Sequence, residues 1–375
     1  MHARAALALT TILSTVVMVL PVRATSTARY FVKTDGASQG IERRHAFGGG
    51  FTADLTASQA SELASQGVEL EPMVLYTLAD RPAGKPTGGS VRKTPGDQTP
   101  WGIEKMYGGS GLTSGGEGVR VALLDTGAAT SHPDLVRRIK DCKDFTTTVV
   151  KNSCADKNGH GTHTAGTIAA DGGADGLGVY GMAPGASLLV YKVCGGSFCW
   201  SDDIAAAIRY AADNGAHIIS MSLGADAESS LERDAIAYAT GLGVLVIAAA
   251  GNDGPTNGSI DYPGANPNVV AVGAIDSGEA VASWSSRGVN DGDYLIEERE
   301  VEVGAPGVAV ESTWINGGYN VISGTSMATP HVAGLAAKVW QGSGAATRTH
   351  LHTLARDIWT LGEDTATGFG LPDLP

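Results

Sequence analysis

Residues 119–127 read Val-Arg-Val-Ala-Leu-Leu-Asp-Thr-Gly: a short, nearly continuous apolar run that closes on an acid and a turn. A strand covered on both faces has this pattern, whereas a strand with one wet face would alternate apolar and polar residues. Four more such runs follow, at 187–193 (SLLVYKV), 217–223 (HIISMSL), 243–250 (GVLVIAAA) and 269–275 (VVAVGAI). Helical patterns lie between them at about 160–170, 202–214 and 229–241, and others follow at about 326–340 and 346–356. Strand–helix alternation predicts an α/β fold, a mainly parallel sheet with helices on both faces, over residues 98–375. No long-period internal repeat is visible.

The upstream part reads differently. Residues 28–34 (ARYFVKT) and 51–55 (FTADL) have strand character, and Thr56 stands three residues before Gln59, a capping-box spacing that opens a helix to about Gln66. Val68 to Leu78 reads as one further strand, which completes a small α+β unit over about 28–79. Residues 80–98 (DRPAGKPTGGSVRKTPGDQ) are rich in Pro, Gly, Lys and Arg and read as an exposed linker open to proteolysis. At the start, His2 and Arg4 precede an apolar stretch from Ala5 to Leu20, followed by Val22-Arg23-Ala24. This fits a secretory signal peptide cut after Ala24 better than a membrane anchor, which needs ~20 apolar residues. No later segment is apolar for long enough to cross a bilayer, so the mature protein is expected to be soluble, exported and free of membrane contact.

The 375 residues include 26 Lys+Arg and 39 Asp+Glu, a formal charge of −13, and 43% are hydrophobic, which is globular composition rather than wholesale disorder. Residues 1–97 carry 10 basic and 8 acidic side chains, whereas residues 98–375 carry 16 and 31, so the two parts differ in character. Without a basic run to neutralise phosphates, nucleic acid is not an expected partner. Cys142 and Cys154 lie 12 apart and Cys194 and Cys199 lie 5 apart. In an exported protein two local pairs suggest two disulfides, although sequence alone permits three pairings. The absence of any CxxC spacing weakens a structural zinc site.

Four stretches carry chemistry. Asp125 ends a buried strand, at the carboxyl edge where open α/β sheets place their sites. His160 and His163 lie in NGHGTHTAG at the start of a helix. Ser326 lies in GTSMATPHVAG, where small neighbours permit close approach and a helix start favours developing negative charge. Asn252 follows the strand VLVIAAAG. Taken singly, each has an ordinary structural explanation as a cap, turn or buried residue, and the two histidines at i, i+3 allow a zinc site in principle. Together they supply what a hydrolytic serine needs: a base for its proton, a carboxylate to hold the imidazole, and a donor for the oxyanion.

The order Asp125, His160, Asn252, Ser326 and the words LLDTG, NGHGTHTAG, AAAGN and GTSMATPHVAG resemble the subtilisin-like serine proteases over about 98–375, and 28–79 is similar to their small inhibitory propeptide. The resemblance implies Ser326 as nucleophile, His160 as general base and then acid, Asp125 as the group that orients it, and Asn252 with the Ser326 backbone N–H as oxyanion hole. It implies that Ser222-Leu223-Gly224 pairs with an extended substrate, and that Gly251 and Asp253 flank the same cleft. Asp261, before Tyr262-Pro263-Gly264, occupies a position at the base of the pocket for the residue preceding the scissile bond. A carboxylate there would favour Lys or Arg, with a loop acid or a calcium ligand as the other readings of Asp261. Calcium is the implied cofactor, held by Asp134 of SHPDL and by Asp171 and Asp175 of DGGADGL.

The expected protein is thus a secreted, monomeric endopeptidase acting on polypeptides and made as a zymogen. Its domains would be a signal peptide over 1–24, a propeptide and linker over 25–97, and a catalytic domain over 98–375. The maturation cut is expected near Leu78–Asp80 or in the linker after Lys93. The alternatives are a binding protein that keeps the fold with a dead site, and an esterase; the latter requires GxSxG and Ser, Asp, His order, which this chain lacks.

Overall fold

In the computed structural model, residues 26–34, 36, 40–79, 91–107 and 114–375 are described. The expected signal peptide and most of the linker lie outside the described residues.

The N-terminal unit comprises β1 (Thr27–Lys33), β2 (Ala46–Phe47), β3 (Gly50–Thr56), α1 (Ala57–Ser65) and β4 (Glu69–Pro72), with sheet order β2-β3-β1-β4. The capping box forms at α1: Gln59 N–H donates to Thr56 Oγ1 and the Gln59 side chain accepts from Thr56 N–H at 2.9 Å. The strand expected over 68–78 divides after Pro72. Its second half, β5 (Leu75–Leu78), leaves this sheet and joins another.

The larger unit begins with α2 (Trp101–Tyr107), β6 (Arg120–Asp125), β7 (Ile139–Asp144), α3 (His160–Ala169) and β8 (Ser187–Lys192). A short hairpin of β9 (Cys194–Gly195) and β10 (Phe198–Trp200) leads into α4 (Ser201–Asp213). β11 (Ile218–Met221), β12 (Leu223–Gly224), α5 (Ser230–Gly241), β13 (Leu245–Ala249), β14 (Val269–Ile275) and β15 (Val303–Pro306) follow. The chain then makes an antiparallel pair, β16 (Val310–Trp314) and β17 (Gly318–Ile322), followed by α6 (Thr325–Lys338), α7 (Gly344–Leu354) and a short antiparallel pair, β18 (Ala355–Arg356) and β19 (Leu371–Pro372).

Seven parallel strands in the order β15-β14-β13-β11-β6-β8-β7 make the central sheet. Its strands alternate between two cores. Val121, Leu123, Leu188, Val190 and Ile247 pack with α3, α6 and α7 on one face. Ala122, Leu124, Leu189, Tyr191 and Val246 pack with α4 and α5 on the other. Both faces are therefore dry, which is why the runs carry no polar alternation. β7 (IKDCKD) has no such run because it is the sheet's edge, where charged side chains reach water.

The N-terminal sheet rests on α4 and α5. Arg29 Nη1 donates to Asp202 and Asp203 at 3.1 and 3.2 Å, His45 Nε2 lies 2.8 Å from Asp203, and Arg44 Nη2 is 3.3 Å from it. Glu71 accepts from Ser230 N–H and Oγ at 3.1 and 2.7 Å and so caps α5. Residues 91–97, read from sequence as linker, lie against the larger unit: Arg92 and Tyr319 exchange backbone hydrogen bonds, and Glu311 accepts from the N–H groups of Gly96 and Asp97. Both local cysteine pairs are disulfides, Cys142–Cys154 and Cys194–Cys199.

Candidate active site

The carboxyl ends of β6, β11 and β13 converge with the N-termini of α3 and α6. Asp125 is fully buried at the end of β6, and its Oδ1 and Oδ2 lie 2.8 and 3.0 Å from His160 Nδ1. Thr126 N–H and Thr164 Oγ1 also donate to this carboxylate, at 2.6 and 3.2 Å. His160 is the first residue of α3, and its neighbour Gly161 permits close packing of the helix against the Asp125 turn: a Cβ at Gly161 would sit 2.1 Å from Gly127 O. Asp156, which the sequence reading passed over, accepts five hydrogen bonds, from Thr126 Oγ1, Asn158 N, Gly159 N, Thr162 N and Thr162 Oγ1. It joins the Asp125 turn to the first turn of α3 and thereby positions His160. The available signal was an acid four residues ahead of a helix-start histidine.

His163 does not join His160 at a metal site. Its Nε2 lies 3.0 Å from Val310 O, its ring meets the edge of Trp314, and burial pushes its pKa down to about 3. The zinc alternative fails on that orientation.

Ser326 lies in the first turn of α6, and its Oγ donates to Ser222 O at 3.1 Å. Asn252 Oδ1 accepts from Thr325 N and Oγ1, both at 3.1 Å, which fixes the amide and leaves Nδ2 buried without a partner among the described residues. The Ser326 backbone N–H already has an acceptor, the carbonyl oxygen of Ala79 at 3.1 Å.

That contact belongs to a larger arrangement. β5 lies between β12 and β10, antiparallel to both: Leu78 pairs with Leu223, Thr77 with Gly224 and Phe198, and Tyr76 with Cys199. Ala79 N–H donates to Ser222 O at 3.2 Å, and Leu78 N–H to Ser197 O at 3.3 Å. Ser222, Leu223 and Gly224 thus pair with the chain's own segment 75–79. A cavity of ≈280 Å³ is lined by Ala79, Asn252, Asp253 and Asp261 among others. Asp261 is buried over two glycines, its Oδ2 lying 2.7 and 2.3 Å from where Cβ atoms on Gly224 and Gly251 would be. Burial, then the charges of Asp253 and Asp226, push the Asp261 pKa up to about 7. Gly251 N–H donates to Thr325 Oγ1 and Asp253 N–H to Ser286 Oγ, and of the two it is Asp253 that lines the cavity.

The expected calcium ligands separate. Asp134 Oδ2 accepts from Val179 N–H and Tyr319 OH at 3.0 Å each, while its Oδ1 is buried without a partner among the described residues. A side chain at Gly173 would meet Oδ1 of Asp134 and of Asp175 at 3.1 and 3.4 Å, so these two carboxylates face one space. Asp171 departs from expectation. Arg137 donates to its two oxygens at 2.7 and 2.9 Å and Arg138 lies 3.0 Å away, so its carboxylate is neutralised by guanidinium groups rather than left for a cation.

Residues 116–370 match the Subtilase family, to which the chain belongs; it is a serine endopeptidase. It is 47% identical over 355 residues to a subtilisin from Bacillus sp. strain TA39, an alignment covering 86% of this chain and 83% of that one. It is 42% identical to Subtilisin Savinase from Lederbergia lenta, covering 72% and 96%. Among solved structures, Sphericase superposes with a TM-score of 0.72 at 51% identity, covering 75% of this chain and all of that one. The S41 Psychrophilic Protease does so with a TM-score of 0.72 at 49% identity.

Proposed function

We propose that the chain is a secreted zymogen that matures by cutting its own Ala79–Asp80 bond through Asp125, His160 and Ser326. The observation that carries this reading is the Ala79 carbonyl on the Ser326 N–H, with the preceding residues held between two strands as an extended substrate. In this mechanism His160 takes the Ser326 hydroxyl proton as Oγ bonds to the Ala79 carbonyl carbon. Asn252 Nδ2 and the Ser326 N–H hold the resulting oxyanion, and Asp125 stabilises the imidazolium. His160 then gives its proton to the Asp80 amine as the C–N bond breaks, and a water hydrolyses the acyl-enzyme. Segment 27–79, docked on α4 and α5, would aid folding and keep the cleft filled until release.

The alternative cut, after Lys93, is disfavoured because the adjacent Arg92 is paired in a β-bridge with Tyr319. A cut after Ala79 leaves residues 91–97 on the mature enzyme. For other polypeptides, Asp261 and its neighbours Asp226 and Asp253, with carboxylate oxygens within 4.8 Å of one another, favour Lys or Arg before the scissile bond. Asp134 and Asp175 would hold calcium with loop carbonyls, an ion that would brace the fold and take no part in the chemistry.

Secretion of the full chain, alone and as Ser326→Ala, tests the central claim. The expected results are a mature protein beginning at Asp80 from the wild type and an uncut precursor from the variant. A mature N-terminus after Lys93, or normal processing in Ser326→Ala, overturns it.

A further inference from the structure

Tyr76, the fourth residue before the Ala79–Asp80 bond, is fully buried, and its hydroxyl donates to Glu232 Oε2. A second acceptor, Ala227 O, lies 3.3 Å away. Glu232 stands in the first turn of α5 and is itself fully buried, yet it makes no hydrogen bond to its own helix. That helix start is served by Glu71, through Ser230 N–H and Oγ. The other oxygen of Glu232, Oε1, has no partner among the described residues. A carboxyl placed inside an apolar core, whose hydrogen-bond donor among the described residues departs when the propeptide is released, is costly unless something replaces that donor.

We infer that Glu232 is a specificity-determining residue: it selects substrates whose fourth residue before the scissile bond is an aromatic carrying a hydroxyl, namely Tyr, over the isosteric Phe. The inference rests on reading β5 as a bound substrate strand. A Tyr at this place donates to Glu232 Oε2, as Tyr76 does. A Phe fills the same space among Leu223 and Leu231 but leaves both carboxyl oxygens bare. Burial pushes the Glu232 pKa up to about 8, with the Glu228 charge adding to the rise. A site built to bond a hydroxyl rejects the analogue lacking it far better than an apolar pocket rejects an added one.

The test uses the matured enzyme and two p-nitroanilides copied from its own segment, acetyl-Tyr-Thr-Leu-Ala and acetyl-Phe-Thr-Leu-Ala. The expected kcat/KM ratio of Tyr to Phe is about tenfold in the wild type, falling to about one in Glu232→Leu. The ratio is taken within one enzyme preparation, so partial folding of a variant cancels. A wild-type ratio near one, or a ratio in Glu232→Leu equal to a high wild-type value, overturns the inference. Should Glu232→Leu yield no mature enzyme, the wild-type ratio decides alone. Failure of the chain to cut after Ala79 would instead count against the function proposed above.

Discussion

The Asp261 carboxyl is buried, with two acids nearby and no hydrogen-bond donor to it among the described residues, so its charged form is disfavoured and its pKa stands at about 7 rather than in the usual carboxylate range. Only the ionised form attracts Lys or Arg. Its population rises about tenfold between pH 6 and 8 for a pKa near 7. The ratio of kcat/KM for a peptide with Lys before the scissile bond to one with Leu is therefore expected to climb by about that factor over the same window. The Asp261→Asn enzyme should show a flat profile. Taking the ratio removes any pH dependence of the chemical step, which both substrates share. A flat wild-type ratio would remove Asp261 from the account of specificity. The position of Asp261 was legible before Tyr262-Pro263-Gly264, but its burial over Gly224 and Gly251 was not, because those residues lie in separate stretches of the chain.

The β9–β10 hairpin forms one wall of the groove that holds β5, and the Cys194–Cys199 disulfide closes it just where Cys199 faces Tyr76. A strand held on two edges gains main-chain hydrogen bonds from both, and a loosened edge must be ordered again on binding. Replacing both cysteines by Ser is expected to raise KM for a tetrapeptide substrate by roughly threefold to tenfold, with kcat little changed. An unchanged KM, with loss of thermal stability alone, would show the disulfide to be a staple with no part in the groove. β5 itself illustrates the limit of local reading. Leu75-Tyr76-Thr77-Leu78 has strand character whatever it pairs with, so the pattern gave the conformation but could not say that the partners were β10 and β12.

The two units meet across buried charge. Arg29 and Arg44, with His45, face Asp202 and Asp203 at the start of α4, and burial raises the Asp203 pKa against the pull of His45 and Arg29. Removing one partner of such a set leaves charge uncompensated, at a cost of ~3–5 kcal/mol. Arg29→Met is expected to slow the appearance of product cut after Ala79 in a time course of the full chain. An unchanged time course would mean that the strand pairing of β5 alone seats the N-terminal unit. The calcium proposed at Asp134 and Asp175 is tested through the stability of the larger unit. In the Ser326→Ala chain, which cannot digest itself, calcium at a hundredfold excess over its dissociation constant should stabilise by about 2.7 kcal/mol. Asp134→Ala should abolish that shift. Thermal unfolding with calcium and with chelator measures it, and equal midpoints in the parent would overturn calcium binding there.

The sequence alone determined the sheet, because strands dry on both faces must be continuously apolar, and it pointed to Asp125, His160, Asn252 and Ser326 as one candidate site, because their order and local words taken together, and no one of them singly, supply what a hydrolytic serine needs. Its reach ended where a residue's partner lay far along the chain. Arg137 and Arg138 take the Asp171 carboxylate, Tyr319 holds Arg92, Glu232 meets Tyr76, and Ser326 receives the carbonyl of Ala79. Propensity and periodicity are properties of neighbouring residues, whereas a hydrogen bond across some 250 residues exists only once the core has packed and brought its two ends together.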